Sequence, residues 1–120
     1  MRWYAAHLIM YVKFKQKKQR RYPLWDNIVL IKAASTEEAL VKAERRGREG
    51  EGDDRGTFRW GGKPAEWVFA GVRLLIRCED EKSRPTDGTE ITYLEMQVDS
   101  KTALSRLVNG KSVRVTLWGE

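Results

Sequence analysis

A chain of 120 residues that is 41% apolar, with five Trp, four Tyr and three Phe, is long enough to bury one core and too hydrophobic to stay disordered, although 33% of it is charged. Its 23 bases exceed its 17 acids by six. Residues 13 to 21 alone carry six bases and no acid (Lys13, Lys15, Lys17, Lys18, Arg20 and Arg21), so the rest of the chain is electrically balanced.

Residues 2 to 14 read as a long first strand, with Tyr4, Ala6, Leu8, Met10 and Val12 on one face and Trp3, His7, Ile9 and Tyr11 on the other. Leu24 to Ala33 reads as a second strand centred on Ile28, Val29, Leu30 and Ile31, with Pro23 just before it, so the basic segment becomes the long loop of a hairpin. Ser35-Thr36-Glu37-Glu38 is a helix start, a Ser cap with Glu three residues later. The spacing of Ala39, Leu40 and Ala43 predicts a helix over 36–47 with Gly47 as its C-terminal cap. The glycine-rich, charged run at 48–57 reads as a mobile solvated connection against which nothing packs.

Thr57 to Trp60 is expected as a short strand, Gly61-Gly62-Lys63-Pro64 as a turn, and Glu66 to Cys78 as a long strand. Val68, Ala70, Val72, Leu74 and Ile76 then share one face, and Trp67, Phe69 and Leu75 the other. Glu79 to Asp87 is a polar linker, and the Asp87-Gly88 turn sends Thr89 to Val98 back as a hairpin partner with Leu94, Met96 and Val98 inward. Ser100 to Val108 reads as a short helix closed by Asn109-Gly110, and Val113, Val115 and Leu117 as a final strand. The fold class that results is α+β: about six mostly antiparallel strands, the 36–47 helix across one face, and the C-terminal helix and strand closing an edge.

Several residues have the chemistry of a site. The basic loop, Lys13, Lys15, Lys17, Lys18, Arg20 and Arg21, is flanked by Tyr11, Phe14, Tyr22 and Trp25, a composition that contacts phosphates with cations and stacks bases on aromatic rings. Its structural alternative is a solvated hairpin tip whose lysines prevent strand pairing with other chains. His7, the one histidine, has no acidic neighbour in sequence and is expected to be structural. Cys78 has no second cysteine for an internal disulfide or a thiolate metal cluster, and Glu79, Asp80 and Glu81 beside it would raise its pKa, so it is read as a core-edge residue. Asp53, Asp54, Glu79, Asp80, Glu81, Asp87 and Glu90 show no metal-ligand or acid/base spacing, and the glycines at 47, 50, 52 and 56 form no phosphate loop. No cofactor or metal is expected. Trp3, Trp60 and Trp67 are the candidate interface residues, because a sheet that is apolar on both faces commonly hides the second in a dimer.

Trp3-Tyr4 opening a strand through Ala6-His7-Leu8-Ile9, then Asn27 to Ala33 leading into Ser35 to Ala43, then Ala65 to Val72 and Thr86-Asp87-Gly88-Thr89-Glu90-Ile91, together resemble a bacterial family known as domain of unknown function four-two-eight-eight. The resemblance covers about residues 3–95 and leaves 96–120 as a helix-strand extension of one domain spanning 1–120. It implies no activity, and it assigns Gly88 and Glu90 to a turn and its hydrogen bonds as readily as to a site. The basic loop and the residues after Asp99 depart from the family pattern.

The expected function is a non-enzymatic binding or interaction module, with monomer and homodimer both left open. The alternatives are a nucleic-acid-binding protein, or one with an acidic protein partner, using loop 13–21, and a small enzyme built on His7 or on Asp87 and Glu90. With no export signal at Met1-Arg2-Trp3-Tyr4, no run near the ~18 apolar residues of a membrane span and a lone cysteine, the expected location is the cytoplasm, with no membrane partner.

Overall fold

Alternation of apolar residues over thirteen positions makes β1 (Arg2–Phe14) the central strand, because both of its faces can be buried. In a computed structural model, which describes residues 1–16, 18–78 and 85–118, β1 is paired antiparallel on one side with β2 (Leu24–Ala33) and on the other with β4 (Lys63–Arg77). The two-residue β3 (Arg59–Trp60) joins the far side of β4, giving the order β2-β1-β4-β3. The tight β3–β4 turn is Gly61-Gly62, with φ of 59° and 80°, the doubly positive geometry that a two-residue hairpin turn demands.

Helix α1 (Thr36–Glu49) starts where its cap chemistry requires. Ser35 Oγ accepts from Glu38 N at 3.1 Å, and Glu38 returns a carboxylate oxygen to Ala34 N at 3.2 Å. The helix runs two residues past the predicted end, and Gly50, not Gly47, is its cap. Gly47 is instead a buried contact point: a β-carbon there would lie 2.3 Å from Phe69 Cε1, so any other residue would have to displace the Phe69 ring for the helix to seat on β4. Ala39 and Ala43 continue that small-residue stripe, whereas Leu40, expected beside them, is exposed at the helix rim.

The core between α1 and the sheet comprises Tyr4, Ala6, Leu8, Ile31, Ala33, Ala39 and Ala43, with Val29, Phe69, Val72 and Leu75 packed against it. This departs from the alternation expected of β4. Register shifts opposite His7/Leu8 and Ile9/Met10 insert Arg73 and Ala70 as bulges, so Phe69, Val72 and Leu75 come to pair with Met10, Leu8 and Ala6 on the helix side.

The connection at 48–57 is not the loose solvated loop expected. Gly52 exchanges both backbone hydrogen bonds with Trp67 (3.1 and 2.8 Å), Glu51 accepts from Phe69 N at 2.9 Å, and Asp53 pairs with Lys15 at 2.7 Å. Beyond the Asp87-Gly88 turn, Thr89–Leu94 forms no hairpin with β4. It crosses the sheet face opposite α1, and only β5 (Glu95–Gln97) is extended into a ladder, with β6 (Thr116–Trp118) as its partner. Leu94 and Met96 are exposed rather than inward. Helix α2 (Lys101–Val108) has the expected Ser100 cap, with Ser100 Oγ accepting from Ala103 N at 3.1 Å. Together β5, α2 and β6 stand apart as a second small unit and do not close an edge of the main sheet. Among the described residues no helix is long and apolar enough to cross a membrane.

Candidate functional site

Four places on the molecule combine exposed or reactive side chains. The first is the basic loop. Gln19 folds it back on itself: its amide oxygen accepts from Phe14 N at 3.0 Å and its amide nitrogen donates to Val12 O at 2.6 Å and Arg21 O at 3.0 Å. An open cleft of about 490 Å³ results, walled by Tyr11, Phe14 and Tyr22 and edged by Lys13, Lys18 and Arg20. Tyr22 meets Tyr11 edge to face at 5.6 Å. Of the predicted cations, Lys15 is taken up by Asp53, whose carboxyl that lysine, aided by the Gly56 N–H, holds below the usual carboxylate range. Lys13, Lys18, Arg20 and Arg21 are exposed, and Lys17 lies outside the described residues.

The second is His7, which is fully buried and linked at both ring nitrogens. A carboxylate can only accept, so Nδ1 donates to Asp26 Oδ2 at 2.9 Å, and in a neutral ring Nε2 then accepts from the Thr92 hydroxyl at 2.6 Å. The acid absent from its sequence neighbourhood arrives across the sheet: His7 is level with Ile28, which puts Asp26 one diagonal away on the same face. Hydroxyl, imidazole and carboxylate stand in the order of a nucleophile relay. The adjoining cavity, lined by Ile76, Arg77, Glu90, Ile91, Thr92 and Tyr93, measures about 100 Å³, below the ~300–1,000 Å³ of small-molecule sites. What the geometry does is pin the crossing strap at Thr92 to the sheet. Cys78 supports the same crossing, with its thiol 3.5 Å from Ile91 O. Burial raises that thiol's pKa, while Glu79, Asp80 and Glu81, expected to raise it, lie outside the described residues.

The third place is aromatic. Trp67 lies 5.0 Å from Trp25, 6.0 Å from Trp60 and 5.6 Å from Phe58, so two of the predicted interface tryptophans join one intramolecular cluster. Trp25 and Trp67 also wall a groove of about 480 Å³ floored by Leu8, Met10 and Val29 beside the last turn of α1. Trp3 is separate: it stands at the end of β1, with Lys32 Nζ 5.7 Å from its ring centre.

The fourth is the sheet face opposite α1. The strap covers its centre, where Ala5, His7 and Leu74 are buried, but the flank on β2 is bare: Leu24, Ile28 and Leu30 are 55%, 42% and 42% exposed. Leu94 at the end of the strap, and Met96, Leu104, Val108, Leu117 and Trp118 from the C-terminal unit, are exposed as well. Scattered apolar side chains are ordinary on a protein surface, but here they are concentrated in one edge strand and one small unit. Spacing in the sequence marks the β2 residues as facing one way; their exposure follows from α1 covering the other face alone.

A family model matches residues 3–93, that of Domain of unknown function (DUF4288), and the chain belongs to that family. No curated protein and no solved structure matches the chain. The matched stretch holds the four-stranded sheet, α1 and Thr92, and ends just before β5.

Proposed function

We propose that the protein is a non-enzymatic interaction module that works as a homodimer in the cytoplasm, with the bare sheet face as its working surface. The observation that carries this reading is the exposure of Leu24, Ile28 and Leu30 on a β2 that is also an edge strand, where both an apolar face and a row of backbone groups await a partner. The lone Cys78 supports a reducing compartment. Sedimentation equilibrium of Ile28→Glu/Leu30→Glu tests it. The double variant keeps the circular dichroism of the parent, since both side chains are exposed, and sediments as one chain where the parent sediments as two. A variant with the parent's mass removes this face from the interaction.

The basic cleft supports a second reading, single-stranded nucleic-acid binding. Its support is the Gln19 lock, which holds Tyr11, Phe14 and Tyr22 beside Lys13, Lys18 and Arg20 without the entropy cost of a floppy tip. On this reading, affinity for a mixed-sequence single strand falls steeply between low and physiological salt, and Lys18→Glu/Arg20→Glu abolishes it. Binding that ignores salt, or an acidic protein captured in place of nucleic acid, speaks against it.

A further inference from the structure

The C-terminal unit cannot be accounted for by its own contacts. A two-stranded ribbon such as β5–β6 is marginal in water alone, and an eight-residue helix is far short of the ~12–15 residues at which isolated helices begin to hold. Yet α2 buries no residue, and among the described residues neither it nor the ribbon packs substantially on the four-stranded sheet. Among the described residues, one link to the body is a 3.4 Å hydrogen bond from Arg73 to Trp118 O. Ala103, Leu104, Leu107 and Val108 form an apolar stripe on α2 with Leu104 and Val108 bare, and Leu117 and Trp118 are bare on β6.

The molecular surface is large for a chain of this size. The chain exposes 9077 Å², where a folded monomer of 13.9 kDa exposes about 6,700 Å². Its radius of gyration is 17.1 Å, against about 13.6 Å for a compact domain of this length. The excess, about 2,400 Å², is several times the ~800 Å² that each partner contributes to a standard stable interface. The same chain carries the complement: β2 presents Leu24, Ile28 and Leu30 on the face that the strap crosses, and the arm leaves from that strap just after the His7–Thr92 clamp.

Resting on the dimer reading above, we infer that the dimer is made by arm exchange: the segment from β5 to β6 (Glu95–Trp118) of each copy lies on the bare β2 flank of the other. The arrangement is two-fold and closed, so it satisfies both apolar surfaces of both chains and leaves none to propagate.

Two full-length double variants test the exchange, one on the arm (Leu104→Glu/Val108→Glu) and one on the sheet (Ile28→Glu/Leu30→Glu), with mass read by light scattering and folding checked by circular dichroism. Arm exchange predicts that each variant alone runs as one chain. An equal mixture regains the mass of two, because the intact arm of the sheet variant meets the intact flank of the arm variant. If the arm variant alone still dimerises, the sheets meet directly: exchange is overturned while the dimer reading stands. A mixture that stays monomeric at concentrations where the parent is dimeric also overturns exchange. A parent protein that is itself monomeric overturns both.

Discussion

His7 shows how a single residue ties distant parts of the chain. Its ring holds Asp26 on β2 and Thr92 on the strap at once, and Asp26 Oδ1 is already buried without a hydrogen-bond partner among the described residues. Replacing His7 with Ala would leave the remaining oxygen of Asp26 and the Thr92 hydroxyl without their partner in a partly buried setting. The expected loss is about 2–4 kcal/mol in urea unfolding, together with faster amide exchange in residues 90–94. A loss confined to a few tenths would mean that the strap is held by packing alone. At the surface, Asp53 carries a pH signature. Its carboxyl titrates below the ordinary value because Lys15 and the Gly56 N–H bond to the ionised form. A depressed folded-state pKa stabilises above the unfolded value near ~3.9, and that contribution is lost as the pH falls through the lowered folded value. Carboxyl chemical shifts should place the Asp53 midpoint below the ordinary range, and Lys15→Met should move it back up; an unmoved midpoint would contradict the pairing.

Among the elements, the helix–sheet contact depends on backbone proximity more than on large side chains. Gly47→Ala places a methyl within 2.3 Å of the Phe69 ring, so it should cost about 1–3 kcal/mol although alanine is the better helix former. A thermal melt showing stabilisation would mean that Phe69 turns aside freely. This element was half legible in the sequence. Ser35, Glu37 and Glu38 announce its start through local hydrogen bonding, but Gly47 resembles a cap until the bulge-shifted Phe69 is seen to need its space. β1 and β2 were legible residue by residue, because alternation with a proline and a polar loop between them is local information. The bulges in β4 were not, since they are set by the register against β1; nor was the strap, whose Thr89–Leu94 alternates like a strand but joins no ladder. Of the site residues, the basic loop was visible from charge alone. Gln19, Asp26 and Thr92 acquire their roles through contacts 5 to 85 residues apart, and only Asp26 could have been inferred, from the β1–β2 register.

For the molecule as a whole, the sheet has one face closed by α1 and the other closed in its centre by the strap, with the β2 flank and the C-terminal unit left apolar and uncovered. An accessible area of 9077 Å² is large for a 13.9 kDa chain, which is the feature that the proposed dimer would account for. On the proposed dimer, two copies meet through the apolar Leu24, Ile28 and Leu30 and not through the charges of loop 13–21, so their association should resist salt. The most direct test is the mass of the full chain by size-exclusion chromatography with light scattering, at low salt and at ~1 M salt. A mass twice 13.9 kDa in both is the expected result. A single-chain mass, with a radius of gyration near the ~13.6 Å of a compact monomer, would show the arm folded onto its own sheet and contradict the account.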